Sequence, residues 1–200
     1  LYTDLTTASP TSLACQDDWQ AQCRSVINYE TIIHPLWSKP RLVFDVDGNP
    51  VIDPVSGEQQ SNNCLNCHTP VDPATGLARV PAGQLEFQDG LSLDEPDHFH
   101  AYRELLVTDN LQVLEVGMLV DATRVIGQDA NGDDILEFIT TNPPAVAGSA
   151  ALSSVFFAPF NDPLDLVHYD ILSEAEQRLL AEWLDVGAQY YNNPFDAPAN

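Results

Sequence analysis

In the stretch NNCLNCHTP, residues 62–70, Cys64 and Cys67 stand two residues apart and His68 follows directly. The 200-residue chain has only two other cysteines, Cys15 and Cys23. Three chemistries use such a pair. A structural zinc site takes four Cys/His ligands, and the spacing of Cys15 and Cys23 is poor for the second half of one. A thioredoxin-like dithiol lies between a strand and a helix N-terminus in a βαβ unit, and no parallel α/β alternation surrounds residue 64. Covalent haem attachment needs only what is present. Two thiols add to the two vinyl groups of a porphyrin across the short C-x-x-C loop, and the adjacent imidazole reaches the iron. The motif therefore predicts one covalent haem c, held by Cys64, Cys67 and His68.

With His68 on one side of the iron, the ligand on the other side decides between electron transfer and chemistry on a small molecule. His34, His98, His100, His168 and the lone Met118 are the side chains able to take that position. Met118 lies in the strand-like run LEVGMLV, where a core methionine is the ordinary reading. His34 reads as a surface residue, and His98 and His100, two apart on a helical segment, cannot share one face. An open sixth position would let peroxide or nitrogen oxides reach iron, with His98, His100 or Tyr102 as proton donor. Arg103 suits either a haem propionate or an ordinary surface ion pair. Asp45, Asp47 and Asn49, and again Asp129, Asn131 and Asp133, place oxygens at alternate positions as calcium loops do. Neither set has the glutamate at the twelfth position, and both are also plain turn chemistry.

The composition narrows the partners. Thirty acidic residues against seven basic ones give a formal charge of −23, which repels nucleic acid and anionic membrane surfaces and leaves cations and basic proteins. Hydrophobic residues make up 44% of the chain, too much for a disordered acidic tail. No apolar run is long enough to span a bilayer. The chain begins at Leu1 with neither a methionine nor a signal-peptide pattern, which fits a processed chain or a domain cut from a longer one.

The elements that must position these residues can be read from pattern. Residues 1–14 are Thr/Ser/Pro-rich and read as a flexible arm, leaving one domain over 15–200. Residues 17–37 carry apolar positions near a 3.6-residue period, which predicts a helix kinked or ended by Pro35. RLVFDVDGNPVIDPVSGEQQ reads as strands and turns that delay the motif. Asp94 is placed to cap a helix running through HFHAYRELL, and residues 111–141 read as hairpin around Asp-Ala-Asn-Gly-Asp. Ser173 and Glu176 form a capping box for a helix whose stripe is Leu179, Leu180, Trp183, Leu184 and Ala188. The three tryptophans and VFFAPF are expected in the core.

YETIIHPLW, ahead of the motif, is similar to the corresponding segment of cytochrome domains of the planctomycete type. HYDILSEAEQRLLAEWLDVGAQYYNNPF resembles the closing segment of the hydrazine synthase alpha-subunit-like family. The resemblance covers about a quarter of the chain and implies a mainly α fold, a cytochrome c-like haem core with long loop and β-hairpin insertions. It also places His168 at the family's closing histidine, which makes it the favoured second iron ligand over His100, His98, Met118 and His34. A single C-x-x-C-H departs from hydrazine synthase, which carries a second, catalytic haem in the same subunit, and favours electron transfer. Haem attachment in that family takes place outside the bacterial cytoplasm, which implies a periplasmic or extracellular site and a Cys15–Cys23 disulfide. Along a straight helix those two residues would be ~12 Å apart, beyond the ~7 Å reach of a bridge, so the segment must double back. The reading is an exported one-haem electron carrier with a redox partner, basic in character. A catalytic haem domain and a haem-bearing structural subunit of a larger complex are the alternatives.

Overall fold

The computed structural model describes residues 2–45 and 47–193. The chain forms two compact units, Leu1–Cys64 with Ala145–Asn200 and Leu65–Pro144. It is not mainly α. Helix accounts for 28% and strand for 19%, the strands all in small antiparallel sheets, so the fold is mixed α/β. The helix expected over residues 17–37 is broken into short pieces. Only Leu13–Asp17 (α1), a π-helical turn at Tyr29–Ile33 and Pro35–Ser38 (α2) are helical there. Pro35 opens α2 rather than interrupting a longer helix, as a residue without an N–H can.

The first unit is built around Glu174–Asp185 (α5). Ser173 Oγ accepts the Glu176 N–H and the Glu176 carboxylate accepts the Ser173 N–H, which completes the capping box. Leu179, Leu180, Trp183 and Leu184 are buried as the stripe predicts, together with Ala188 just past the helix end. Gly187, at φ +100°, makes the left-handed turn that ends it. Tyr29 lies against this helix, its ring 5.4 Å from that of Trp183 and 5.6 Å from that of Tyr190, and its hydroxyl accepts the Trp37 indole N–H at 3.1 Å. Ser154–Asn161 (α4) adds Phe156 to the buried set. Arg41–Leu42 (β1) pairs with Ser61–Asn62 (β2), closing the strand-and-turn insertion that the sequence predicts.

Cys15 and Cys23 form a disulfide with Cα atoms 5.7 Å apart. The chain doubles back as that bridge requires, because α1 stops at Asp17 and a turn comes next. Trp19 sits in this loop and is exposed, so of the three tryptophans only Trp37 and Trp183 reach the core. The stretch read as a flexible arm carries a short 3-10 turn at Tyr2–Asp4, and the Tyr2 hydroxyl donates to Glu182 of α5.

The second unit holds one α-helix of seven residues, His100–Leu106 (α3), and three ladders. Asp109–Asn110 (β3) pairs with Thr140–Thr141 (β8), Gln112–Glu115 (β4) with Met118–Asp121 (β5), and Thr123–Gln128 (β6) with Asp134–Phe138 (β7). The helix starts later than expected. Phe99, not Asp94, is its N-cap residue, and Ser92 Oγ instead takes the N–H groups of Asp94 and Glu95 in the preceding turn. A bulge at Ile126 breaks the register of β6 against β7, and every residue of both strands is exposed.

Candidate functional site

Cys64–Asn66 forms a 3-10 turn, with Cys64 half-buried, Cys67 exposed and His68 half-buried. Backbone contacts fix both the turn and the residues after it. The Cys67 carbonyl accepts the Ala82 N–H at 3.0 Å, and the His68 carbonyl accepts the Phe87 N–H at 2.9 Å. The His68 ring is held on two sides. Its Nδ1 lies 3.2 Å from the Leu85 carbonyl oxygen, and the Phe87 ring centroid is 4.8 Å from its own. A carbonyl can only accept, so Nδ1 carries the proton, and the neutral tautomer so fixed keeps its lone pair on Nε2. That is the orientation a histidine needs in order to ligate a metal through Nε2. The chemistry of the donor set, two thiols outside the disulfide and an imidazole with a defined tautomer, fits covalent haem.

The remaining ligand candidates have distinct surroundings. His168 is half-buried, its Nδ1 3.0 Å from Asp165 Oδ2 and its backbone N–H donating to Asp165 Oδ1. Those bonds, the backbone one foremost, hold the Asp165 carboxyl below the usual range. Both His68 and His168 thus have Nδ1 engaged by an acceptor, the same second-partner arrangement. His34 is buried, not on the surface, at 7% exposure, because its N–H closes the π-helical turn onto the Tyr29 carbonyl and its ring lies 5.8 Å from that of Tyr29. Met118 is 64% exposed on β5, so it is not a core methionine. In the second unit, burial lowers the His98 pKa and its ring meets Tyr102 edge-on at 5.1 Å. Arg103 approaches the exposed Asp94 at 3.8 Å.

The two sets of calcium-like residues each form a turn closed by its first aspartate. Asp45 Oδ1 accepts the N–H groups of Asp47 and Asn49, and Asp129 Oδ1 those of Asn131 and Asp133. The Asn49 N–H is the chief cause of a lowered Asp45 pKa, and the Asp133 N–H of a lowered Asp129 pKa. The same device recurs in two Asp-Pro-x-Ser/Thr-Gly turns on either side of the motif. Asp53 accepts from Val55 and Ser56, and Asp72 from Ala74 and Thr75.

One group of side chains was not legible as a site. His100 and Glu104 lie one turn apart on α3, with Nε2 and Oε1 at 2.8 Å, and Asp109 on β3 completes a set whose ligand atoms all lie within 4.8 Å of one another. Glu86 Oε2 is 3.9 Å from the same His100 nitrogen. Burial raises the Glu104 and Glu86 pKa values, while the bond to Glu104 raises that of His100. The H-x-x-x-E spacing within HAYRELL is the only sequence signal for it; Asp109 and Glu86 arrive through the fold. No helix among the described residues is long and apolar enough to cross a membrane. No family model, curated protein or solved structure matches this chain.

Proposed function

We propose that the chain is an exported c-type cytochrome that carries one haem c and passes electrons to a partner protein. The observation that carries this reading is the C-x-x-C-H motif with the His68 Nδ1–H committed to the Leu85 carbonyl. Haem c, when bound, supplies a one-electron couple whose potential follows its axial ligands and the polarity around them. Cys64 and Cys67 would hold the porphyrin by thioether bonds, and His68 would ligate iron through Nε2. The Leu85 carbonyl orients that ring and raises its basicity, and Phe87 restricts its rotation. His168 is the proposed second ligand, its ring oriented by Asp165. Two imidazoles favour a lower potential than a histidine and a thioether would. The acidic surface favours a partner with a basic docking face, whether a separate carrier or another subunit of a larger complex. The Cys15–Cys23 disulfide supports an oxidising compartment, periplasmic or extracellular.

Expression in a host with cytochrome c assembly tests the attachment. The intact mass is expected to include one haem that survives acid extraction, and a Cys64→Ser/Cys67→Ser variant is expected to lose it. A wild-type mass without haem overturns the reading. His168→Ala tests the second ligand. It is expected to turn a low-spin spectrum high-spin and to allow carbon monoxide to bind the reduced protein. An unchanged low-spin spectrum passes the role to His100, His98, Met118 or His34. Carbon monoxide binding to the reduced wild-type protein would favour the catalytic alternative.

A further inference from the structure

We propose that His100, Glu104 and Asp109, with Glu86 beside them, form a binding site for a divalent transition metal ion, separate from the haem motif. The group differs from the acidic turns in three ways. It contains an imidazole. Its central carboxylate, Glu104, is buried at 7% exposure, whereas the acidic turn residues are exposed. And Asp109 accepts the N–H of its neighbour Asn110, whereas Asp45 and Asp129 are each closed over N–H groups two and four residues ahead.

The electrostatics call for a cation. Glu86, Glu104 and Asp109 bring three carboxylates around a single imidazole, and Arg103, the one basic residue along the adjoining cavity besides His100 itself, is drawn toward Asp94. The 2.8 Å contact between His100 Nε2 and Glu104 Oε1 holds the pair together. A divalent ion would place two positive charges at one point among these carboxylates.

The geometry is suited to the exchange. His100 and Glu104 project from the same face of α3, one turn apart, so their ligand atoms converge without backbone movement. Asp109 comes from β3, the strand that follows the helix within three residues, and Glu86 lies between Leu85 and Phe87, the two residues that hold His68. The cluster faces a cavity of about 480 Å³ lined also by Ser92, Asn110, Gln112 and Asp121, polar and large enough to admit water as a further ligand. Cys64, Cys67 and His68 do not line it. One nitrogen with two or three carboxylate oxygens suits Zn²⁺ or Mn²⁺ over Ca²⁺, which takes oxygen ligands, and over Cu⁺, which prefers sulfur.

The test is titration of Zn²⁺ into the chelator-treated full chain, with Cys64 and Cys67 either carrying their haem or alkylated so that no thiolate competes. One ion per chain is expected. X-ray absorption of the loaded protein is expected to show nitrogen and oxygen neighbours at ~2.0–2.2 Å and no sulfur at ~2.3 Å. His100→Ala is expected to weaken binding by at least about tenfold, while Asp129→Asn leaves it unchanged. Asp109→Asn is the second variant, so a misfolded His100→Ala does not remove the test. Several weak sites that neither variant alters, or a sulfur shell, would mean an adventitious ion only and overturn the proposal. So would the absence of any saturable Zn²⁺ binding.

Discussion

Glu176 performs two tasks with one carboxylate, and replacing it should unravel both. Oε2 accepts the Ser173 N–H at 2.8 Å, and Oε1 accepts Lys39 Nζ at 2.7 Å with Arg41 Nη2 at 3.5 Å. The carboxylate side chain is 2% exposed, and those of Lys39 and Arg41 are 21% and 12% exposed. Breaking a buried pair by deleting one partner costs about 3–5 kcal/mol. Two features reduce that here. Lys39 keeps some access to water, and Arg41 still donates to the Lys39 and Leu36 carbonyls. Loss of half the capping box adds about 1 kcal/mol. Glu176→Ala is therefore expected to cost about 3–4 kcal/mol in all, or roughly 6–15 °C in Tm for a chain of this size. Glu176→Gln, which keeps an acceptor for Ser173 but not the charge, should cost less. Urea unfolding followed by tryptophan fluorescence reads the effect, since Trp37 and Trp183 both lie in this core. The double variant Glu176→Gln/Lys39→Met should recover part of the Glu176→Gln loss, because the penalty comes from the stranded ammonium. If Glu176→Ala costs less than about 1 kcal/mol, the buried ion pair is not what secures α5 and the reasoning fails.

Reducing the Cys15–Cys23 bridge, or replacing both residues with serine, should lower stability by about 2.5 kcal/mol, the loop-entropy value for a closure of this length; labelling of both thiols by alkylation without reductant would refute the bridge. Asp53 and Asp72 have pKa values lowered chiefly by the Ser56 and Ala74 N–H groups, so the stability each lends its turn is present above the ordinary carboxylate pKa and lost as pH falls through the depressed one. Carboxyl NMR titration should show both protonating below the ordinary aspartate range, and midpoints at the ordinary value would show the turns open in solution. Amide exchange should be slowest in α5 and fast across β6 and β7, whose residues are all exposed in a two-stranded ladder. Protection of β6 and β7 equal to that of α5 would mean that something covers the hairpin.

The sequence by itself determined features whose physics is local. C-x-x-C-H places two thiols and an imidazole within five residues, a spacing readable without the fold. The Ser173–Glu176 box and the Leu179–Leu184 stripe define α5, because capping and a 3.6-residue period need only neighbours along the chain. The turn residues Asp45 and Asp129 were equally legible as turns, since an aspartate bonding the N–H two and four residues ahead is also a local event. Tertiary structure decided the rest. The apolar spacing of residues 17–37 suits a helix, yet the disulfide and the π-helical turn divide that segment, so periodicity overstated the helical content. His34 is buried because Tyr29 packs beside it, and Met118 is exposed because its ladder has only two strands. The Leu85 carbonyl that orients His68 is a backbone atom seventeen residues away, and no side-chain pattern encodes it. The same holds for Glu86 and Asp109, which meet His100 only because the chain folds a loop and a strand against α3.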